Sequence, residues 1–259
     1  MIFVMLGFAV MAQQVWVFVD VLNVRACPST SCRVIGTVKY GQVLQTSGRA
    51  VYTSSYDWIE IASGGWVAMQ FVDLLPIEVS GELPVDFDMN FYDRPLPPYY
   101  VPSDLVDIPK DISVKDGLKI RKEALNALVR MLRDARKAGY NIKVVSAYRS
   151  WERQRELYER AIELYGPDQE EVAKPGRSEH QLGLAVDLVR ADMKCALESC
   201  FGKTPEYRWL VKNCWKYGFI QPYVRHNVLY VEEQWHFRYV GVEAAKSYME
   251  EYKEYVGSQ

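Results

Sequence analysis

Histidine is scarce in this chain, and positive charge is not in excess. Three histidines occur in 259 residues, and 31 Lys and Arg residues are balanced by 33 Asp and Glu residues, for a formal net charge of −2 at pH 7. A protein that binds nucleic acid generally presents a basic surface to the phosphates. The charge balance therefore argues against nucleic acid as a partner, and a site built on imidazole has few candidate residues.

Apolar runs long enough to span a bilayer are also lacking. The run Ile2–Met11 is too short for that purpose, and small residues occur at Val10 and Ala12, where a signal peptidase prefers them. We predict a signal peptide over residues 1–12 and export to the periplasm or cell wall, with a buried first strand as the alternative. The processed protein is expected to have no stable membrane insertion.

Five cysteines form two closely spaced pairs and a single residue. Cys27 and Cys32 bracket a short turn, and Cys195 and Cys200 bracket another. Each pair can close a small disulfide loop in an oxidising compartment, and unpaired thiols are the alternative. Neither pair has further ligands at zinc-finger spacing, so a structural metal knot is not expected. Cys214 is expected to be a small buried hydrophobe in a helix.

The segment 15–75 has the pattern of a small all-β domain. Short apolar runs alternate with turns rich in glycine and serine, which is typical of a small barrel. The segment also resembles the bacterial SH3-like domains of cell-wall proteins, which implies either binding of peptidoglycan peptides or packing against a neighbour. The matching residues are Leu22-Asn23-Val24-Arg25, Pro28-Ser29-Thr30, Val34-Ile35-Gly36-Thr37-Val38, Gly41 and Gly65-Trp66-Val67.

Prolines crowd the next segment, at positions 76, 84, 95, 97, 98, 102 and 109. Each proline removes a backbone donor and fixes φ, so long helices are excluded. We predict a Pro-rich linker over residues 76–97. The following stretch, residues 98–107, is dense in aromatic and apolar residues, and we expect it to wrap the domain that follows.

Residues 98–259 are predicted to form an α+β domain, a small antiparallel sheet with flanking helices. Apolar residues recur at helical spacing from Ala124 to Ala135, and Gly139 stands where a C-terminal cap is expected. Ser150 can cap a second helix, and Thr204-Pro205 can begin a third that ends before Gly218. The strands are expected at 142–146, 184–189 and 234–239, and a last helix at 243–256.

Two segments of this domain contain residues suited to metal chemistry. One is Ser178-Glu-His180-Gln-Leu-Gly183-Leu-Ala-Val-Asp187, and the other is Glu233-Gln-Trp235-His236. A catalytic zinc takes three nitrogen or oxygen ligands and leaves one position for water. His180, Asp187 and His236 would supply that set. Asp187 lies in an apolar stretch where an unpaired carboxylate would be costly to bury, and a metal would relieve that cost.

Glu233 is the candidate general base beside this ligand set. It would take a proton from the attacking water and pass it to the departing amine. Glu233 and His236 lie on opposite faces of a regular strand, so their convergence requires a kink or bulge. Arg149 follows a predicted strand, where its guanidinium could hold a substrate carboxylate or a developing oxyanion. His226 has no such companions and is expected to be a loop residue.

Four separated motifs resemble those of the VanY-type D-alanyl-D-alanine carboxypeptidases and their L,D-carboxypeptidase relatives. In chain order they are Ser146-Ala-Tyr148-Arg149-Ser150 with Gln154, then Ser178-Glu-His180-Gln-Leu-Gly183-Leu-Ala185-Val-Asp187, then Trp209-Leu with Tyr217-Gly-Phe219-Ile220, and Glu233-Gln-Trp235-His236-Phe-Arg238-Tyr-Val-Gly241. The resemblance implies zinc held by His180, Asp187 and His236, with Glu233 as the base and Arg149 as an electrostatic clamp. The residues that would bind the stem peptide are Ser178, Gln154, Tyr148 and Trp235.

Two features depart from the family pattern, namely the run Gln221-Pro222-Tyr223-Val-Arg225 and the insert between Cys195 and Cys200. Both are expected near the rim of the cleft, so the motifs do not decide which peptide bond is cut. The leading hypothesis is an exported zinc peptidase that removes D-alanine from peptidoglycan stem peptides. The alternatives are an endopeptidase that cuts within the stem peptide and a non-catalytic wall-binding protein.

Overall fold

The computed structural model describes residues 12–75, 96, 98, 100–222 and 233–257. They fall into two compact units, one within residues 1–80 and the other within residues 81–259. The predicted signal peptide up to residue 11, nearly all of the predicted linker, the run 223–225 and His226 lie outside the described residues. Every helix in the described part of the chain is too short or too polar to cross a membrane.

The first unit is an antiparallel sheet with the strand order β3-β2-β6-β5-β4-β1-β7. Apolar residues at alternate positions of β1, β2 and β5 form its main core, and Trp58, Trp66 and Ala68 form a second, smaller apolar cluster. This confirms the predicted all-β domain. β3 and β7 are the two edge strands of this order. Among the described strand pairs, none joins β3 to β7 to close the sheet into a barrel. The strands are β1 Gln14–Val17, β2 Val21–Arg25, β3 Val34–Lys39, β4 Val43–Val51, β5 Trp58–Ile61, β6 Trp66–Ala68 and β7 Val72–Leu75.

A disulfide between Cys27 and Cys32 closes the turn that joins β2 to β3. The Arg25 guanidinium donates to the Thr30 carbonyl at 2.7 Å and to the Cys32 carbonyl at 2.8 Å. The predicted pairing of these two cysteines is therefore present, and Arg25 holds the loop that they close.

The second unit contains a four-stranded antiparallel sheet in the order β10-β11-β13-β12 and a separate two-stranded sheet of β8 and β9. Helices pack around the sheet, which confirms the predicted α+β class. The strands are β8 Leu105–Asp107, β9 Lys119–Arg121, β10 Ile142–Ser146, β11 Ala185–Arg190, β12 Phe219–Ile220 and β13 His236–Tyr239, and the helices are α1 Lys122–Lys137, α2 Trp151–Tyr165, α3 Pro205–Asn213 and α4 Val242–Gly257.

The helix boundaries follow local signals in the sequence. The Ser150 hydroxyl accepts a hydrogen bond from the Arg153 backbone N–H at the start of α2, and the Thr204 hydroxyl accepts one from the Tyr207 N–H at the start of α3. The third helix is shorter than predicted. It ends at Asn213 and continues as a 3₁₀ segment, Cys214–Tyr217, before Gly218 adopts a left-handed conformation.

The stretch that precedes β8 packs on this unit, as its composition predicts. The Leu96 N–H donates to the Gly176 carbonyl at 2.6 Å, and Tyr100 is buried with its carbonyl accepting from the Gln181 side chain at 3.4 Å. Beneath it, α1 and the strands β10 and β11 form one apolar core, in which Leu128, Met131, Val144, Val186 and Leu188 are almost fully buried.

Candidate active site

Three side chains with metal-ligating atoms come from two strands and one short turn. Asp187 lies in the middle of β11 and is the register partner of His236, the first residue of β13. His180 lies in a 3₁₀ segment, Glu179–Leu182, just before β11. Gly183 ends that segment in a left-handed conformation at φ 68°, which turns the chain into the strand.

The ligating atoms of these residues converge, and all three residues are buried. His180 Nε2 lies 3.3 Å from Asp187 Oδ2, and His236 Nδ1 lies 3.3 Å from Asp187 Oδ1. One ligating atom of each residue lies within 4.8 Å of the others. Cross-strand neighbours are close by construction, so the antiparallel pairing of β11 with β13 accounts for the meeting of Asp187 and His236.

The other nitrogen of each imidazole is held by the surrounding protein. His180 Nδ1 lies 2.7 Å from the Ala147 carbonyl, and His236 Nε2 lies 2.9 Å from Glu179 Oε2. Such contacts fix the orientation and tautomer of a ligating histidine. They leave His180 Nε2 and His236 Nδ1 directed toward Asp187.

The charges of the site favour a cation between these atoms. Burial would by itself lower the pKa of His236, but its contacts with Asp187 and Glu179 raise that pKa to about 10. Burial would likewise raise the pKa of Asp187, but His180 and His236 lower it well below its usual range. Asp187 and Glu179 both contact the protonated His236 imidazole, and a divalent cation can take the place of the proton on Nδ1.

The state of the Asp187 carboxylate also fits a metal ion at this place. Asp187 Oδ1 is buried and has no hydrogen-bond partner of acceptable geometry among the described residues, although His236 Nδ1 lies 3.3 Å from it. A buried carboxylate oxygen without a hydrogen bond destabilises the folded protein unless a ligand supplies the missing contact. Two imidazole nitrogens and one carboxylate oxygen form a donor set suited to zinc.

Glu233 lies at the edge of this cluster. Its Oε2 is 3.7 Å from His236 Nδ1, and its side chain is 34% exposed. Burial, together with the charge of Asp187, raises the pKa of Glu233, although His236 opposes the shift. The convergence with His236 comes from a turn, in which the His236 N–H donates to the Glu233 carbonyl at 3.1 Å. The strand therefore begins at His236, later than the predicted start at residue 234.

Arg149 approaches the cluster from the end of β10. Its Nη2 lies 3.9 Å from Asp187 Oδ2 and donates to the Ser146 hydroxyl at 3.2 Å, while its Nη1 donates to Gln154 Oε1 at 2.8 Å. Gln154 is 1% exposed, and its Nε2 donates to the Ala173 carbonyl at 2.7 Å. Both ends of the Gln154 amide are thus engaged within the protein, and the side chain holds the guanidinium in place.

A cavity of about 320 Å³ opens over these residues. Its lining contains every residue predicted for the site except Tyr148, which is half-buried on the same loop as Arg149. Ser178 is buried in the wall, and Trp235 is partly exposed beside Glu233. The charged residues Glu170, Glu171 and Arg177 also line the cavity.

Known proteins resemble both units. A family model for VanY, described as D-alanyl-D-alanine carboxypeptidase, matches residues 117–242, and a bacterial SH3 domain model matches residues 20–73. The chain is 42% identical over 159 residues to "Putative carboxypeptidase YodJ" of Bacillus subtilis (strain 168), a match that covers 58% of this chain and 58% of that protein.

Solved structures extend the likeness to the fold. The LdcB LD-carboxypeptidase, whose structure is described as revealing the molecular basis of peptidoglycan recognition, is 41% identical, with a TM-score of 0.55 and coverage of 59% of this chain and 75% of that chain. The chain belongs to the VanY D-alanyl-D-alanine carboxypeptidase family. VanYB in complex with D-alanine-D-alanine is 30% identical, with a TM-score of 0.50 and coverage of 64% and 94% of the two chains.

The chain matches only part of the length of its curated relatives in the VanY family. The matched segments span between 44% and 58% of three such relatives. The predicted family and the predicted α+β class are confirmed, whereas the roles of the individual site residues stay predictions.

One pair of residues in this VanY-family domain was missed by the sequence analysis. Glu179 is 1% exposed, and its Oε1 accepts from Arg238 Nη1 at 2.6 Å while its Oε2 contacts His236. Burial would raise the pKa of Glu179, but Arg238 and His236 hold it at about 2. The sequence did contain a signal, because Arg238 follows His236 by two residues and lies on the same face of a strand.

Proposed function

We propose that the protein is a zinc-dependent carboxypeptidase that removes a terminal D-alanine from peptidoglycan stem peptides. The observation that carries this proposal is the convergence of His180, Asp187 and His236 within 4.8 Å at the base of a cavity that Glu233 and Arg149 also line. The similarity to the LdcB LD-carboxypeptidase and to VanYB bound to D-alanine-D-alanine supports the substrate class.

In this proposal His180 Nε2, His236 Nδ1 and an oxygen of Asp187 would hold the zinc ion. A zinc ion bound there would supply Lewis-acid chemistry, which makes a water molecule acidic enough to attack near neutral pH. The Ala147 carbonyl and Glu179 keep the two imidazoles in the orientation that binding requires.

Glu233 acts as the general base. Its carboxylate accepts a proton from the attacking water and then donates it to the nitrogen of the departing D-alanine. The raised pKa of Glu233 favours the first step, because a carboxylate with a higher pKa is a stronger base toward the proton of the attacking water. Its partly exposed side chain leaves the carboxylate accessible from the cavity.

Arg149 stabilises negative charge on the substrate. Its guanidinium is held from two sides by Ser146 and Gln154, which orients the remaining N–H groups before the substrate arrives. A preorganised cation can bind the substrate's terminal carboxylate or the oxyanion that develops at the carbonyl. Ser178 and Trp235 line the same cavity and are assigned to substrate binding.

The first unit is proposed to position the enzyme on the cell wall, and the protein is proposed to act outside the cytoplasm. The match of the first unit to the bacterial SH3 domain supports the first proposal. The two disulfides support the second, since disulfides persist in oxidising compartments. The peptidoglycan stem peptide is the partner in this proposal.

The direct test is product analysis with defined stem peptides. Purified full-length protein, loaded with zinc, is incubated with a pentapeptide that ends in D-Ala-D-Ala and with the tetrapeptide that lacks the last residue. Release of free D-alanine, detected by mass spectrometry and abolished by a chelator, supports the proposal. Release from the pentapeptide defines a D,D-carboxypeptidase, and release from the tetrapeptide defines an L,D-carboxypeptidase.

Other products would contradict the proposal in distinct ways. Cleavage inside the peptide without release of D-alanine would identify an endopeptidase. Absence of any cleavage by protein that contains stoichiometric zinc would favour a non-catalytic wall-binding protein.

A further inference from the structure

The loop between β11 and α3, residues 191–204, forms part of the wall of the active-site cavity. Leu197 in this loop lines the cavity together with Trp235 and Glu233, and it remains 44% exposed. Many other residues of the lining are charged or polar. Water solvates an exposed aliphatic side chain poorly, so the free energy falls when a ligand covers Leu197.

The backbone of the 191–204 loop is held in an unusual conformation. Met193, Cys195 and Leu197 have φ values of 59°, 59° and 58°, and they are the non-glycine residues with positive φ in the described part of the chain. L-residues disfavour this left-handed region, so the surrounding structure must impose it. The disulfide between Cys195 and Cys200 closes the loop around Leu197 and supplies such a constraint.

Both ends of the loop are anchored to the domain. At the first end, the Arg190 guanidinium binds Asp192 through two contacts of 3.0 Å and Glu206 through one of 2.9 Å. At the second end, Phe201 is fully buried in the core. A rigidly anchored loop can present one side chain to a cavity at low entropic cost on binding.

The same loop packs on the turn that contains the general base. A Cβ atom added to Gly202 would come 2.9 Å from Cγ of Gln234, the residue between Glu233 and Trp235. Cys195 and Trp235 also pack against the same core cluster. The position of the loop is therefore coupled to the wall of the cavity on which the substrate is expected to bind.

The structure assigns Leu197 as a specificity residue that contacts an aliphatic part of the peptide substrate, placed there by the Cys195–Cys200 disulfide. The assignment rests on the proposed function, since it takes the occupant of the cavity to be a stem peptide. Leu197 contacts the peptide away from the reacting atoms. Its interaction is therefore equal in the ground state and the transition state, and its loss raises KM while kcat is retained.

The test compares variants of the full-length, zinc-loaded protein on the stem peptide that the wild type cleaves. Leu197→Asp is expected to raise KM about tenfold or more, and Leu197→Ala about threefold, with kcat within about twofold of the wild type. Replacing both cysteines by serine, as Cys195→Ser with Cys200→Ser, is expected to raise KM by about as much as Leu197→Ala. Zinc content should stay stoichiometric in every variant.

The chain offers a matched control for the disulfide. Cys27 and Cys32 are also five positions apart and disulfide-bonded, but they lie in the first unit. Cys27→Ser with Cys32→Ser should leave KM and kcat for the soluble peptide unchanged. An equal loss in both double variants would show a general effect of disulfide removal and would overturn the assigned role of the Cys195–Cys200 pair.

The outcomes separate this inference from the proposed function. If the wild type releases no D-alanine, the proposed function fails. The same peptides are then titrated into the wild type and into Leu197→Asp, and tryptophan fluorescence measures the Kd of each. A Kd that is about tenfold weaker in Leu197→Asp would still support the contact. A KM and Kd unchanged by Leu197→Asp, or a fall in kcat alone, would overturn it, even if the double cysteine variant fails to fold.

Discussion

Glu179 Oε2 lies 2.9 Å from His236 Nε2, and this buried contact determines which nitrogen of His236 faces the metal-binding cluster. The other oxygen of Glu179 is held by Arg238 at 2.6 Å. Glu179 is therefore a positioning residue, which would act on the metal through His236. Arg238 compensates its charge in the interior, where an unpaired carboxylate would be costly.

Glu179→Gln is expected to weaken zinc binding by about 10-fold to 100-fold, because loss of a carboxylate partner of a ligating histidine typically has that effect. Competition with a chromogenic chelator measures the change. Glu163→Gln, at an exposed position on α2, is the matched control and should bind zinc as the wild type does. Equal zinc affinity in Glu179→Gln and the wild type would contradict the positioning role.

Glu233→Gln is expected to lower kcat by about 100-fold or more while zinc content and peptide Kd are retained, because an amide cannot accept the proton of the attacking water. Steady-state kinetics of D-alanine release, together with metal analysis, test this. Glu243→Gln changes an exposed glutamate in the first turn of α4 and should leave kcat unchanged. Retained kcat in Glu233→Gln would exclude it as the base.

Zinc affinity is expected to fall as the pH falls. In the absence of the ion, the contacts with Asp187 and Glu179 raise the pKa of His236 to about 10, so its imidazole is protonated at neutral pH. Binding requires the neutral form, and each binding event must release that proton. Below the pKa of His236, the apparent Kd should therefore weaken by about tenfold for each unit of pH.

Calorimetry in two buffers of different ionisation enthalpy measures the released proton directly, between about pH 6 and pH 8. His180 is a useful contrast, because burial lowers its pKa, so it should contribute less to the proton release than His236 does. An apparent Kd that does not vary with pH would show that His236 is already neutral in the metal-free protein.

The elements that the sequence predicted well are those determined by local signals. Helix α1 follows from apolar residues at helical spacing, α2 begins after the cap expected at Ser150, and α3 begins at Pro205, which was expected in the first helical position. Such signals act within a few residues, so they can be recognised without knowledge of the rest of the fold.

The site required both the sequence pattern and the fold. The spacing of His180, Asp187 and His236 predicted a metal site, but only the pairing of β11 with β13 explains why Asp187 and His236 meet. The role of Glu179 depends on a contact with His236 across 57 positions, and the role of Gln154 depends on the loop that brings Arg149 to it. The turn at Glu233 supplies the kink that its convergence with His236 requires, although the sequence predicted a strand from residue 234.

Gly183 is expected to be the glycine of the site that tolerates a side chain least. Its φ is 68°, and an added Cβ would lie 2.9 Å from Leu105 Cδ2 and 3.1 Å from Arg121 Cγ. Gly139 has a φ of 92°, but nothing lies within 4 Å of its added Cβ, so Gly139→Ala isolates the conformational cost, about 1 to 2 kcal/mol.

Gly183→Ala should lower the free energy of unfolding by about 1 to 3 kcal/mol more than Gly139→Ala, since crowding adds to the conformational term. Urea denaturation of the zinc-loaded variants measures both changes. Because Gly183 directs the chain from His180 into β11, Gly183→Ala should also weaken zinc binding, whereas Gly139→Ala should not. Equal losses of stability with unaltered zinc affinity would show that the backbone at Gly183 shifts without moving His180.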